Sequence, residues 1–263
     1  MGKTTVTFLG TGGVMPPAGS DAASFVINGR YLVDTGHCAA ARMLVLGIQP
    51  KDIEYLFLTH RHPDHAIGLP QLISYRLGQK FFHPDTEALH VVGPAGDLEE
   101  LVRLTCRFVS YLNAGAETSS DPALANVIPV PLKPGEKLEN DSFQLTAYAT
   151  FHNPHLKSLA YRFTDAFTGK TIGFTGDTGP TAGLAVFMQK VDLLIHDGGV
   201  YPADRNSPGH SSAVAAAEVA AEAGAECLCL IHFNAQTIKR AAGEARKTFP
   251  RIIIAREGKT VTV

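Results

Sequence analysis

What this chain lacks narrows the field before any motif is read. Nowhere does it run for about 18 uninterrupted apolar residues, so no membrane span is expected. The N-terminus enters a strand-like run at once, with neither a basic region nor an apolar signal segment ahead of it, which predicts a cytoplasmic protein. Cysteine is scarce, and the four present have no framework spacing. Cys38 and Cys106 stand alone. Cys227 and Cys229 alternate along an apolar run and read as two small buried side chains in preference to a Cys-x-Cys ligand pair. Neither sign of charge dominates: a formal net charge of −2 gives no general attraction for nucleic acid, though a local basic patch stays open. Repeats, low-complexity tracts and convincing linkers are missing too. What remains, 263 residues of which 45% are hydrophobic, is enough for one domain, 1–263, with a large core.

Against that plain background one segment stands out, His60-Arg61-His62-Pro63-Asp64-His65. Three imidazoles and a carboxylate within six positions repel or go unpaired when packed together, unless a cation holds them. The segment follows an apolar run, Ile53 to Leu58, that reads as a buried strand, so the cluster falls on a rigid strand end. Metal binding is the function this predicts. Imidazole and carboxylate suit zinc, and manganese or iron as well.

Strand-like runs lie near 4–9, 24–34, 53–58, 89–93, 126–131, 142–149, 158–164, 170–175, 191–196, 226–231 and 252–263. Helical patterns fall at 38–47, 66–78, 96–112, 180–189, 211–224 and 236–248. The helix at 211–224 has the clearest ends, with Ser211 or Ser212 to cap it and Gly224 to close it. Interleaved strands and helices predict an α/β protein with sheets covered by helices.

The pattern His-x-His-x-Asp-His resembles the signature of the metallo-β-lactamase superfamily, and further motifs follow in that family's order. Thr4 to Gly13 looks like its opening strand and glycine turn, and Leu32-Val33-Asp34-Thr35-Gly36 like its early aspartate motif. Phe151-His152 matches its lone third-motif histidine, Phe174-Thr175-Gly176-Asp177-Thr178 its bridging aspartate, and Leu230-Ile231-His232-Phe233 its closing histidine. The resemblance implies a four-layer αβ/βα sandwich with two divalent metal ions, zinc foremost. Carried over position by position, His60, His62 and His152 hold one metal, Asp64, His65 and His232 the other, and Asp177 bridges them. Asp34 orients a ligand by hydrogen bond. Such a pair of ions lowers the pKa of a shared water and polarises a phosphoryl or carbonyl oxygen.

Pro208-Gly209-His210-Ser211-Ser212-Ala213 resembles the Gly-His-Ser-Thr-Ala motif of ribonuclease Z and related phosphodiesterases, which implies that His210 stabilises or protonates the transition state. Asp64 and His210 are therefore the residues expected in the reaction itself. The amides of the helix that follows His210 are expected to add a local anion site. In ribonuclease Z proper, a basic arm that grips transfer RNA is inserted between the third-motif histidine and the bridging aspartate. Only 25 positions separate His152 from Asp177, and two strand-like runs fill most of them. A small-molecule substrate, such as a cyclic phosphodiester, is expected in place of nucleic acid, in a protein that is a homodimer if it follows the resembled branch.

Other residues carry two readings each. His37 and His155 either face the site or stand in exposed loops. Tyr201 and Arg205, in the loop 200–209 before His210, either recognise a substrate anion or are solvated. His196 is expected to serve structural hydrogen bonds, and Tyr75 and Tyr111 to be filler. Lactone, thioester or ester hydrolysis, ribonuclease Z-like RNA processing, and iron-dependent sulfur or oxygen chemistry stay open alongside phosphodiester cleavage.

Overall fold

Alternation along the strands decides the architecture. In β1 (Thr5–Gly10), β2 (Ser24–Ile27), β3 (Tyr31–Val33) and β4 (Tyr55–Phe57), one set of side chains, among them Phe8, Phe25, Tyr31 and Phe57, joins a core shared with a second sheet. The intervening residues Leu9, Val26, Leu32 and Leu56 join a different core on the opposite face. Both faces of the sheet are thus apolar and both are covered, as parallel-rich sheets require.

In this computed structural model residues 2–109, 121–202 and 207–263 are described. The first sheet adds β5 (Leu89–Pro94), β6 (Val127–Leu132) and the last strand β14 (Thr260–Thr262), in the order β14-β1-β2-β3-β4-β5-β6. The second holds β7 (Lys137–Glu139), β8 (Phe143–Thr150), β9 (Ser158–Asp165), β10 (Thr171–Phe174), β11 (Leu193–Asp197), β12 (Cys227–Ile231) and β13 (Ile252–Ile254), in the order β13-β12-β11-β10-β9-β8-β7. Helices α1 (Ala39–Val45), α2 (Pro63–Ala66), α3 (Leu69–Phe82) and α4 (Asp97–Val109) belong with the first sheet, and their buried residues fill its outer core. Helices α5 (Leu184–Phe187), α6 (Ala213–Ala223) and α7 (Ile238–Ala245) cover the second. The result is the expected four-layer αβ/βα sandwich.

Between the sheets lies an aromatic core. The Tyr31 ring meets Phe143 at 5.1 Å and Phe163 at 5.4 Å, both from the opposite sheet. At one margin Asp165, at the end of β9, accepts hydrogen bonds from Thr4 Oγ1 (2.7 Å) and Asn28 Nδ2 (2.9 Å) and so ties the sheets together.

Several boundaries differ from the sequence reading. The run 24–34 is a hairpin, not one strand, because Asn28-Gly29 takes positive φ at both residues. The run 252–263 breaks where Lys259 N closes a turn on Arg256 O, and its second half crosses back to pair with β1. The short β7 had no apolar run to announce it. The helix expected from 66 begins earlier, with Pro63 at the first position of α2, and the chain then restarts as α3 at Leu69. The helix expected at 180–189 is a single turn, α5. Tyr111, the end of the helix 96–112, Arg205 and the middle of the loop 200–209 lie outside the described residues. Among the described residues no helix is long and apolar enough to cross a membrane.

Candidate metal centre

All the ligand candidates emerge at one rim of the sandwich, where strands end. His60 follows β4, His152 follows β8, Asp177 follows β10 and His232 follows β12. His62 stands at the N-cap of α2, so that Asp64 and His65, in its single turn, face back over the same rim. Two groups of potential ligand atoms form there, His60 with His62 and His152, and Asp64 with His65, Asp177 and His232, and a third, Asp177 with Asp197, His210 and His232, overlaps the second; in each the atoms lie within 4.8 Å of one another. His152 Nε2 lies 2.8 Å from His62 Nδ1. Asp177 reaches both groups: Oδ1 is 3.3 Å from His65 Nε2, and Oδ2 is 3.2 Å from His232 Nε2 and 3.9 Å from His152 Nε2.

Hydrogen bonds on the far side of each ring decide which nitrogen points inward. His152 Nδ1 donates to the Gly209 carbonyl (2.6 Å), which can only accept, so Nε2 keeps its lone pair. His65 Nδ1 donates to Asp34 Oδ2 (2.7 Å). Thr59 Oγ1 donates to the same carboxylate oxygen (2.9 Å), which leaves its own lone pair to accept from His60 Nδ1 (3.0 Å). Thr59 N completes the set by donating to Asp34 Oδ1 (2.8 Å). One carboxylate therefore fixes the tautomers of two imidazoles, one in each group. Gly209 comes so close to His152 that a Cβ there would collide with the His152 carbonyl.

The charges are strongly coupled. Burial drives the His60 pKa well below its ordinary value, with the neighbouring His65 adding to the effect. Burial likewise lowers His62, with His152 adding. Burial also opposes charge on His65, but Asp177 and Asp34 overcome it and hold that imidazole well above its usual range. At His232 the same contest, won by Asp177, Asp64 and Asp197, lifts the value to about 9. Asp177 itself is held well below the carboxylate range, because His232 and His65 outweigh its burial. Asp64 is lowered by His232 and His65 against its burial.

Such a cluster asks for a cation. His60 Nε2, His65 Nε2, Asp177 Oδ1 and His232 Nδ1 are buried without a hydrogen-bond partner. Leaving buried polar atoms unpaired costs about 1–3 kcal/mol each. Neutral imidazole nitrogens and carboxylate oxygens are the donor set that divalent zinc, manganese or iron accepts. The residues fit a divalent metal site.

His210 sits beside this centre, its Nδ1 2.9 Å from Asp197 Oδ2 and 3.7 Å from Asp177 Oδ2. Burial opposes its protonation, yet Asp197 and Asp177 raise its pKa. Asp197 is the residue the sequence reading overlooked. Fully buried at the end of β11, it accepts from His210 Nδ1, from Ser211 N (3.2 Å) and, through Oδ1, from Gly199 N (2.9 Å). The signal was present, since Asp197 closes an apolar strand just as Asp177 nearly does. Of the amides near the start of α6, Ser211 N is bound to Asp197 and Ala215 N to Ser212 Oγ (3.1 Å). His196 points away, its Nδ1 2.9 Å from the Asp197 carbonyl.

The remaining candidates fall in three places. His37 faces the buried Asp21, with Nδ1 3.5 Å from Oδ1, and belongs to neither ligand group. His155 is exposed in its loop, where its amide donates to Asn153 Oδ1 (2.9 Å). Tyr201 lines a cleft beside His210 and His232. Cys227 and Cys229 enter no metal-binding group among the described residues, and Cys229 is buried within β12.

Comparison with known proteins agrees with the fold. Residues 29–233 match the β-lactamase superfamily domain. Ribonuclease BN of Cronobacter sakazakii is 30% identical over 98% of this chain and 99% of its own length. Among solved structures, the metallo-β-lactamase fold protein YhfI of Bacillus subtilis superposes with a TM-score of 0.80 at 22% identity, covering 100% of both chains. The short form of human tRNase Z does so with a TM-score of 0.74 at 21% identity over 98% of each. With the superfamily domain spanning most of its length and the His/Asp clusters at the sandwich rim, this chain belongs to the β-lactamase superfamily, as a metal-dependent hydrolase of the metallo-β-lactamase fold.

Proposed function

We propose that this hydrolase is a dinuclear phosphodiesterase acting on a small phosphodiester. The observation that carries this reading is the position of Asp177 between the two ligand groups, with His210 Nδ1 3.7 Å from its Oδ2. His60, His62 and His152 would hold one ion, Asp64, His65 and His232 the second, and Asp177 would serve both. When bound, such ions, zinc foremost, supply Lewis-acid polarisation of the phosphoryl oxygen and a water acidified towards neutrality.

The protein's own groups do the rest. Asp34, through Thr59 and directly, keeps the His60 and His65 lone pairs aimed inward. Asp64, with Oδ2 3.3 Å from His232 Nε2, is the carboxylate assigned to receive the proton of the attacking water. His210 has Nδ1 committed to Asp197, so the proton available for the leaving oxygen is the one on Nε2. Asp197 both orients that ring and favours its charged form, the arrangement a general acid needs. The β-lactamase superfamily relatives named for ribonuclease activity support a phosphodiester over a carbonyl substrate.

A small substrate is favoured over transfer RNA by what lies between His152 and Asp177. The hairpin of β9 and β10 takes up that interval, with no basic arm. The 306-position alignment to ribonuclease BN is longer than this 263-residue chain, so that relative carries residues without a counterpart here.

The test is metal content by mass spectrometry together with hydrolysis of bis(p-nitrophenyl) phosphate by the same preparation. About two zinc or manganese ions per chain with clear turnover is the expected result. Two ions without phosphodiester turnover but with lactone or thioester cleavage would overturn the substrate assignment, and iron with oxygen consumption would overturn hydrolysis of a phosphodiester altogether.

A further inference from the structure

A cleft of about 610 Å³ is lined by His210 and His232. One wall is the loop after β1, carrying Val14, Met15 and Pro16; the other is Tyr201 and the segment from Phe233 to Thr237 ahead of α7. The first wall abuts the centre closely: a Cβ at Gly13 would stand 3.1 Å from His232 Cε1. Met15 is 90% exposed and Val14 57%, two large apolar side chains in the lining that also holds His210 and His232. Exposure of that kind costs free energy unless something covers it. The opposite wall is set in place. The Tyr201 hydroxyl contacts Glu244 Oε1 (3.2 Å), and the Arg240 guanidinium lies 5.7 Å from the centre of its ring. Asn234 Oδ1 is bound to Gln236 N (2.9 Å), which turns the carboxamide of Asn234 and leaves its NH₂ for another partner.

We infer that this cleft is the leaving-group subsite, shaped for an aromatic or heteroaromatic alcohol, and that Met15 determines its specificity. The inference rests on the phosphodiesterase reading above. His210 places the cleft on the leaving side, because the group that receives the Nε2 proton must lie beside that ring. In the reaction the water oxygen forms a new bond to phosphorus and the bond from phosphorus to the leaving oxygen breaks. That oxygen takes one proton from His210, which regains one from the proton released by the water. A thioether of adaptable shape and a fixed aromatic ring lining one cleft suit a planar leaving group, since sulfur and aromatic faces both attract a ring. The free amide of Asn234 suits a polar edge on that ring. The volume lies within the range of sites for small ligands.

Two substrates separate the leaving side from the retained side. Methyl p-nitrophenyl phosphate and phenyl p-nitrophenyl phosphate release the same phenol but retain different groups. With metal supplied, Met15→Ala is expected to lower kcat/KM about tenfold on both, mainly through KM, the scale of a lost contact in an apolar pocket, and Met15→Leu to recover most of the loss. A loss confined to the phenyl substrate would place the retained group in the cleft and overturn the assignment, as would no loss on either. A second measurement does not depend on turnover. In protein carrying ¹³C-methyl methionine, Met43 and Met188 are fully buried, and the Met15 resonance is assigned by its disappearance in Met15→Leu. Titration with p-nitrophenol alone is expected to shift the Met15 methyl and leave the two buried ones in place. If neither phosphodiester is hydrolysed by the unaltered protein, the proposed function fails and this shift still decides the subsite; its absence overturns the inference.

Discussion

Replacing Asp34 by asparagine tests the orientation of the centre at its root. The change keeps size and shape but turns one acceptor oxygen into a donor NH₂. Asp34 Oδ2 now receives hydrogens from His65 Nδ1 at 2.7 Å and Thr59 Oγ1 at 2.9 Å. With a carboxamide NH₂ in place of that oxygen, both contacts must reverse. His65 Nδ1 becomes an acceptor, so its proton moves to Nε2 and occupies the lone pair meant for a metal. Thr59 accepts from the new NH₂, turns its own hydrogen to His60 Nδ1 (now 3.0 Å away), and drives the His60 proton to Nε2 as well. One substitution thus spoils a ligand in each group, although the number of hydrogen bonds stays the same and the metal-free fold is expected to persist. Loss of an orienting partner costs roughly 10–100-fold in metal affinity, about 1.4–2.7 kcal/mol. Two miscast ligands give about 10²–10⁴-fold over the pair, or about 3–5 kcal/mol of metal-dependent stability. Competition with a chromophoric zinc chelator measures the affinity, and thermal unfolding with and without zinc measures the linked stability. Zinc affinity of Asp34→Asn equal to that of the unaltered protein would refute the tautomer argument.

Two other outcomes follow from described contacts. His210→Ala should retain its metal content and lose about 10²–10⁴-fold in turnover, the scale of a general acid; metal loss, or an unchanged rate, would remove His210 from the role assigned to it. Asp165 is held below the usual carboxylate range because hydrogen bonds from Thr4, Asn28, Phe167 N and Thr168 outweigh the upward push of burial. Its contribution is therefore complete above the unfolded carboxylate pKa near 4 and is lost as pH falls through the lower folded value. Asp165→Asn should unfold about 1–3 kcal/mol more easily at neutral pH and lose less stability than the unaltered protein on acidification below about pH 4; denaturant titrations at pH 7 and pH 3 check both.

The clustered ligand candidates were legible because chemistry makes them conspicuous. His60, His62, Asp64 and His65 are crowded into six positions, and His152, Asp177 and His232 each stand at or just beyond an apolar strand. The groups that aim them were harder to see. Thr59 looks like an ordinary strand-end residue, and its part emerges only from sharing a hydrogen with Asp34 and another with His60. Asp197 was hidden by its neighbour: the histidine at 196 drew the reading, whereas strand alternation turns His196 away and sends Asp197 to the rim. Asp21 gave no signal at all, since a carboxylate between Ser20 and Ala22 reads as loop; only the fold buries it to accept from the amides of His37 and Cys38. The hairpin at Asn28-Gly29 was a missed turn signal and not a surprise of tertiary structure. Met15 is of another kind, because exposure beside a catalytic rim is a property of three dimensions.

The donors of the centre come from both sheets, and this sets an order on biosynthesis. Asp64 leaves the ribosome 168 residues ahead of His232, a delay of roughly ten to thirty seconds at ordinary elongation speeds. During that interval His60, His62, Asp64 and His65 are exposed without their partners, able to take up metal only weakly and in the wrong geometry. Tight, correct loading waits until β12 has joined the second sheet and the two sheets have docked. A metal held by both groups would thus be acquired only after both sheets have been made, and its retention would report that both halves have closed on each other.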